Sequence, residues 1–417
     1  MAITPSLPTP GQAADGLRKG GELLPSDALQ LRSERSGLTP RQVPDGVKAD
    51  ADARPAQYVS EGVRGPVYPV TIERQENLEL LAREWDELAD RAQAVPWLRP
   101  GWVAAWWRAF GQGRLEVLAV RKDGRLAAVL PLYSRFGALH STTNWHTPQF
   151  GLLAEDEQAT RELARAAFAR HRHRINLGFI DEDDLRACRT AATTAGYRLF
   201  VRPVQRAPYV PIKGTWTEYK QRLSAKRLSE IRRRRRLLEG AGRLSLQIVD
   251  GSERLTEFLE EGFGVEAAGW KGEAGSAIIS RPQTRQFYSE VARSAAARGA
   301  LRLAFLRLDG RPLAFDYSLE EGNVHYLVKT GYDPAYRSLG PGLILRYEML
   351  ARAFATGMAS YEFLGTDQPW KLEWADKFRE LVLLRTFGPS PSGFLEWAAF
   401  AYGRPLAKRI LTVVNNL

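Results

Sequence analysis

Arg337, Gly340 and Gly342 carry the spacing best suited to a phosphate, within Tyr336-Arg337-Ser338-Leu339-Gly340-Pro341-Gly342-Leu343. Glycine lets a backbone come close to a ligand, and Pro341 can open a helix whose first N–H groups attract anions. Leu339, Gly340, Gly342 and Leu343 each offer an N–H to a pyrophosphate, whereas Pro341 offers none. Arg337 adds a charged contact, and Ser338 lies inside the same turn. The plainer reading of these residues is a tight turn with an ordinary helix cap.

Proton transfer next to such a turn needs a base, and carboxylates within strands are candidates because burial can raise their pKa. Asp316 alternates with Leu313, Phe315, Tyr317 and Leu319, which share one strand face and leave Asp316 and Ser318 on the other. Glu362 lies mid-strand, and Asp367 falls in the loop after that strand. The competing readings are a solvated face for Asp316 and an ion pair to a helix arginine for Glu362. Lys371 could orient an anionic acceptor or a phosphate, or form a surface ion pair. His325 is either an acid or base, or a hydrogen-bonded core or edge histidine. No nucleotide P-loop, His-Glu-x-x-His, EF-hand or Gly-x-Ser-x-Gly motif occurs, so metal-dependent and serine hydrolysis lack support, and no metal site is expected. Cys188, the one cysteine, excludes an internal disulfide framework and a Cys-rich zinc site.

The elements that must place these groups alternate along the chain of 417 residues, 44% of them hydrophobic. Residues 1–65 are Pro-, Gly- and charge-rich and predict disorder. The pattern then predicts a strand over 67–72, helices over 77–92 and 101–110, and strands over 115–121 and 126–133 joined at Asp123-Gly124. A helix over 157–170, a strand over 174–179, a helix over 183–195 and a strand over 198–204 complete the first lobe, 66–212. The second lobe, 213–390, opens with one long basic helix over 216–238. A strand over 244–249 and helices over 254–261 and 282–298 follow. Three strands over 301–308, 312–319 and 324–330 come next, then the glycine turn, a helix over 342–355 and a strand over 360–364. An amphipathic helix, 391–417, closes the chain and could lie on a membrane surface or pack back.

Arg121-Lys-Asp-Gly-Arg125 and Arg307-Leu-Asp-Gly-Arg311 are separated by 186 residues (307 − 121) between matching apolar strands, which points to duplication of one α/β unit. The first copy has no Arg-x-x-Gly-x-Gly turn; Pro148-Gln149-Phe150-Gly151 is its nearest glycine-bearing loop. It is expected to shape an acceptor groove and to bind no cofactor.

Three strands, an Arg-x-x-Gly-x-Gly turn, a helix and a further strand resemble the core and acyl-CoA signature of GCN5-related N-acetyltransferases (GNAT). The region from about 68 to 388 resembles the CelD-like acyltransferases, a family tied to cellulose and exopolysaccharide biosynthesis and itself similar to the FemABX transferases. The resemblance rests on Pro96-Trp97-Leu98-Arg99-Pro100-Gly101-Trp102 with Trp106-Trp107, the strand ending Leu130-Pro131-Leu132-Tyr133, and Gly269-Trp270-Lys271-Gly272. It also rests on Gly331-Tyr332-Asp333-Pro334 through Gly342, and Phe363-Leu364-Gly365-Thr366-Asp367 with Trp370-Lys371-x-x-Trp374. Trp370 stands where such proteins often place Tyr, which removes a hydroxyl there.

The resemblance implies an α/β fold of tandem GNAT-like domains, each a mixed central sheet flanked by helices. It implies acetyl-CoA or another acyl-CoA as substrate, held between the strands over 324–330 and 360–364. Asp316, Glu362, Asp367 and Lys371 are then the catalytic candidates, and Trp270-Lys271 walls the acceptor groove or simply packs. The implied acceptor is small or saccharide, related to envelope or exopolysaccharide. The rivals are a FemABX-type aminoacyl-tRNA-dependent transferase on a cell-wall precursor and a non-catalytic scaffold of a polysaccharide assembly.

The net charge of +11 fits an anionic partner or simply an arginine-rich composition. Arg232–Arg236, preceded by Arg222, Lys226 and Arg227, could meet an acidic carrier, a membrane surface or tRNA, or be a solvated helix with local ion pairs. No aromatic interleaving supports sequence-specific nucleic-acid readout. No apolar run approaches the ~18–20 residues of a membrane span. The expected location is cytoplasmic, peripheral to the inner membrane where the basic helix or the tail contacts it.

Overall fold

The computed structural model describes residues 70–169, 173–269, 275 and 277–403. The chain divides between Arg64 and Gly65, and all of the described residues belong to the second unit, Gly65–Leu417. The segment expected to be disordered (1–65), Trp270-Lys271-Gly272 and the tail beyond Gly403 lie outside the described residues.

The first lobe runs β1 (Val70–Gln75), α1 (Ala82–Arg91), a 3-10 turn (Pro96–Leu98), α2 (Pro100–Phe110), β2 (Arg114–Lys122), β3 (Arg125–Arg135), β4 (Ala138–Ser141), β5 (Leu153–Ala154), α3 (Glu157–Phe168), β6 (Arg174–Ile180), α4 (Glu182–Thr194) and β7 (Arg198–Pro211). The second runs α5 (Trp216–Arg222), α6 (Ala225–Ala241), β8 (Leu244–Val249), α7 (Leu255–Ala267), a 3-10 turn (Ile278–Ser280), α8 (Pro282–Ala297), β9 (Leu301–Leu308), β10 (Arg311–Glu321) and β11 (Val324–Tyr332). A 3-10 turn (Pro334–Leu339), α9 (Pro341–Ala355), β12 (Ser360–Glu362), the one-turn α10 (Pro369–Leu372), β13 (Lys377–Phe387) and α11 (Pro391–Ala398) complete it. The long basic helix expected over 216–238 is two helices. Leu223 turns extended (ψ 143°) and Ser224 caps α6 by accepting from the Arg227 N–H at 3.1 Å.

One mixed sheet of 13 strands joins both lobes in the order β1-β2-β3-β4-β6-β13-β7-β12-β11-β10-β9-β8, with β5 paired to β3. The repeat maps β1, β2, β3, β4 and β6 onto β8 to β12 and β7 onto β13, β5 having no counterpart, so the order is a palindrome. Each lobe's last strand crosses the centre: β13 pairs with β6, and β7 pairs with β12. Its parallel pairs, β4/β6 from Ala138↔Arg174 and β11/β12 from Val324↔Ser360, sit at the same 186-residue offset (324 − 138 and 360 − 174).

The duplicated hairpins match in chemistry as well as position. Asp123-Gly124 and Asp309-Gly310 all have positive φ (51°, 77°, 50° and 84°), the conformation that two-residue hairpins need. Arg121 donates to Glu73 on β1 (2.9 Å), to Glu84 on α1 (3.0 Å) and to the Gly124 carbonyl (3.0 Å). Arg307 donates to Gln247 on β8 (2.7 Å), to Glu261 on α7 (2.6 Å) and to the Gly310 carbonyl (3.1 Å). Each arginine therefore ties an edge strand, a helix and a turn together.

Helices α1, α2, α7 and α8 cover one face of the sheet, here the front; α3, α4, α6 and α9 cover the back. On the front, Trp97, Trp102 and Trp106 pack with Phe287, Tyr288, Phe315 and Tyr317 across both lobes. On the back, Ile344, Leu345 and Met349 of α9 pack on Leu313, Ala314 and Leu327.

Replacing Arg121 or Arg307 with Met should each cost about 2 kcal/mol in urea unfolding, because both remove charge-assisted bonds to partly buried partners. Arg83→Met, which breaks only the exposed pair to Glu87, should change stability by less than about 0.5 kcal/mol.

Candidate functional site

The front and back faces meet where β11 and β12 part. Their pairing ends at Tyr326↔Glu362, while β11 continues to Tyr332. Beyond that point β11 carries a bulge: Tyr317 faces Lys329 and Ser318 faces Leu327, leaving Val328 opposite no residue of β10. A bulge at a strand divergence is suited to turn a backbone N–H toward a carbonyl oxygen that gains negative charge.

The glycine turn lies directly after β11. Asp333 caps the 3-10 turn through the Ala335 N–H (3.0 Å) and holds Arg311 at 2.8 Å. Gly331 is required because a Cβ there would come within 2.5 Å of the Glu266 Cα on α7. Gly340 is the N-cap of α9, at φ 65° and ψ 45°, and supplies no side-chain cap. Of the four donors expected from sequence, the Gly340 N–H bonds to Arg337 O (3.1 Å) and the Leu343 N–H to Gly340 O (3.1 Å). Leu339 lies within the 3-10 turn and packs on the back core. Among the described residues no acceptor meets the Gly342 N–H, which stays available to an anion. Arg337 and Ser338 are exposed on the turn. Arg234 of α6 lies alongside, its Cδ 3.2 Å from where a Gly340 Cβ would stand.

The matching helix of the first lobe starts differently. Asp156 caps α3 through the Ala159 N–H (2.7 Å) and is itself paired to Lys122 at 2.6 Å. That helix start already carries an anion, whereas α9 carries none.

The catalytic candidates separate by face. Glu362, at the last paired position of β12, is 1% exposed and lines a cleft of about 490 Å³ between the lobes, with Trp97, Gln149, Tyr326, Leu364 and Arg379. It accepts two bonds from Arg379 (3.0 and 2.6 Å) and one from Ser360 (2.8 Å). Asp316 is fully buried on the back, where Arg346 of α9 donates to it at 2.8 Å and its second oxygen has no partner among the described residues. Asp367 is half-buried beside Arg206 at 3.4 Å. The Lys371 ammonium is buried and donates to the carbonyls of Leu364 (2.5 Å) and Thr366 (2.9 Å). It braces a loop in which Leu364 adopts φ 53°, a strained value for a branched residue. His325 is a fully buried core histidine on the back, 3.0 Å from Glu320 and stacked on Tyr361.

The first lobe was expected to shape an acceptor groove, but sequence reasoning named none of its side chains as site residues. His146 sits against α8 with Nδ1 3.1 Å from the Tyr288 hydroxyl; burial, with Lys329 and Arg281 nearby, lowers its pKa to about 4 and keeps it neutral. Trp97 meets Tyr326 edge-on at 5.0 Å. The advance signals were Trp97 within its Pro- and Arg-flanked motif and the glycine-bearing loop Pro148–Gly151, whose Pro148 and Gln149 line the cleft. A second groove, about 600 Å³, lies at the β8 edge around Asp250 and Arg254 and contains no residue of the turn, the bulge or β12. The arginine run is mostly engaged internally: Arg233 and Arg234 pair with Glu230 (2.9 and 2.6 Å), and Arg235 pairs with Glu348.

Residues 225–372, from α6 through α10, match the family described as Acetyltransferase (GNAT) domain. The chain carries a GNAT acetyltransferase domain. It is therefore an acyltransferase, and acyl-CoA is the substrate such domains use. Two solved structures share its fold. One is the C-terminal domain (DUF2156) of a protein from Agrobacterium fabrum named as a lysylphosphatidylglycerol synthetase, at 13% identity and TM-score 0.50, covering 78% of this chain and 96% of that one. The other is FemX, at 13% identity and TM-score 0.50, covering 74% of this chain and 96% of that one. No curated protein matches the chain. The GNAT match covers the turn, the bulge and Glu362, and none of the first lobe.

Stability measurements check this geometry at two places. Arg346→Met should cost about 3–5 kcal/mol in urea unfolding because it strands the buried Asp316 carboxylate, while Asp367→Asn should stay within about 0.5 kcal/mol. Asp184 of α4, which holds the Leu152 N–H at 3.1 Å, has its carboxyl pushed up to about 7 by burial and by Asp181 and Asp183. A carboxyl raised in the folded state favours folding below its unfolded pKa and loses that contribution as pH climbs to the folded value. Melting temperature should fall between about pH 4 and 7, and Asp184→Asn should remove most of that fall.

Proposed function

We propose that the second lobe binds acyl-CoA with its pyrophosphate on the Gly340–Leu343 turn and its thioester between the diverging β11 and β12. The acyl group then passes directly to an amine or hydroxyl bound in the interlobe cleft. The observation that carries this reading is the uncapped start of α9, opening beside a bulged strand at the one end of the β11/β12 pair where the sheet parts. Phosphate, thioester carbonyl and acceptor then fall on one line from the back face to the front.

In this reading the acceptor heteroatom attacks the thioester carbonyl carbon and its proton passes to Glu362. The peptide at Val328 stabilises the oxyanion. The C–S bond then breaks, and the departing CoA sulfur takes up the proton, returning Glu362 to its carboxylate. Arg337 and Arg234 are the charges nearest the pyrophosphate. Lys371 acts through the loop it braces and touches neither substrate. The CelD-like resemblance adds an envelope or exopolysaccharide acceptor to this reading, and acetyl as the first acyl group to try.

Calorimetric titration of acetyl-CoA and free CoA tests the turn. Wild type should bind both at micromolar levels, and Gly342→Val should lose binding by at least about tenfold while keeping its circular dichroism spectrum. Its new side chain stands 3.3 Å from the Tyr332 ring and crowds the anion path. Glu362→Gln should bind CoA normally yet transfer about a hundredfold more slowly. A folded wild type that binds neither ligand would refute the reading.

A further inference from the structure

The interlobe cleft carries a charge opposite to that of the chain. Against a net +11, its wall presents the carboxylates of Asp181, Glu182, Asp183, Glu362 and Glu380 and, among the described residues, one lining cation, Arg379, while Arg206 beside the wall pairs with Glu380 at 2.9 Å. Arg379 already sits on Glu362, its side chain half exposed and its guanidinium 4.5 Å from the Tyr209 ring. Glu362 is the inner end of the cleft. The outer rim is the start of α4, where Glu182 is exposed with no ion-pair partner among the described residues and Asp183 pairs only with exposed Arg186. A second observation also points to a ligand. Trp97, part of the wall, is 3% exposed, and its indole N–H meets no acceptor among the described residues.

We propose that this cleft binds an oligocationic acceptor, a chain bearing at least two amines and an oxygen. One ammonium replaces the Arg379 guanidinium on Glu362, a second reaches the Glu182–Asp183 rim, and the oxygen accepts from Trp97. Arg379 is then a positioning residue that fills the inner subsite until the acceptor arrives. The exchange swaps one cation for another on a buried carboxylate, so Glu362 never stands unpaired. Glu362 takes the first proton from that inner ammonium and releases it to the open cleft, so the neutral amine is the nucleophile and Glu362 is again a carboxylate when the attacking nitrogen sheds its second proton. The inference deepens the acyltransferase reading and rests on it for which amine reacts; binding of the chain does not.

The test is calorimetry on the full chain without donor, using a free-amine glucosamine tetramer and spermidine, with the fully N-acetylated tetramer as neutral control. The free-amine tetramer should bind most tightly, spermidine less, and both should weaken as salt rises. The N-acetylated tetramer should not bind. Glu182→Gln/Asp183→Asn, two surface changes that leave the fold intact, should weaken the tetramer about fivefold. Arg379→Gln should tighten it by removing the competing cation. Equal binding of the neutral tetramer, no binding of either amine, or an unchanged rim variant would overturn the proposal. CoA titration of the same sample separates the two failures. CoA binding without amine binding defeats only the acceptor class, whereas loss of both defeats the acyltransferase reading.

Discussion

The site depends on the exchange of β7 and β13 at the centre of the sheet. A strand lent to the neighbouring lobe fixes the distance and angle between lobes by backbone hydrogen bonds, which tolerate little sliding once one face is buried. β13 runs antiparallel to β7 from Lys377↔Tyr209 to Phe387↔Arg198 with one register shift between Leu381 and Val382, so neither lobe can rotate without breaking a long ladder. Arg379 reaches Glu362 because it rides on β13. Both exchanged strands line the interlobe cleft, through Ala207 of β7 and Phe378, Arg379, Glu380 and Leu381 of β13. Arg99 reinforces the arrangement from the front, being buried and bonded to Asp86 and Asp90 of α1 and to Glu321 at the β10–β11 turn.

A duplicated unit with one uncapped helix start raises the question of what separates the copies, and the answer is a few residues at that start. Both copies run strand, loop, helix and parallel strand in the same register. In the second, Gly340 turns left-handed and leaves the α9 terminus without a carboxylate. In the first, Asp156 caps α3 and Lys122 neutralises it. The first copy's loop carries His146 and Gln149 to the front face, where the two lobes face each other.

Local patterning made most elements and the repeat legible. Asp-Gly pairs flanked by alternating apolar residues marked both hairpins, and β8 and β9 begin and end where alternation places them. What escaped was non-local. β13, Lys377–Phe387, mixes Lys, Arg and Glu with Leu and Val because its first four residues border solvent while Thr386 and Phe387 at its far end are buried, so no clean period marks it. The length of β7 beyond 204 is set by β12 and β13 and by nothing in its own sequence. Leu223-Ser224 broke a helix that charge and periodicity read as continuous, since Ser224 caps as readily as it continues. Among the candidate bases, alternation correctly put Asp316 on the face opposite Phe315 and Tyr317. It could not say that this face is buried behind α9, or that the sheet parts at Glu362.

The charges resolve the same way. Arginine runs suggested an outward anionic partner, yet the structure uses three of the five within α6 and between α6 and α9. The buried Arg346 spends its charge on Asp316, fixing α9 and so the turn at its start. Positive charge thus works on the back face, near where phosphate would lie, and negative charge collects in the front cleft. A reaction that brings an anionic donor from one side and a cationic acceptor from the other is favoured by that polarity before any contact is made. Net charge averages the two faces and conceals it.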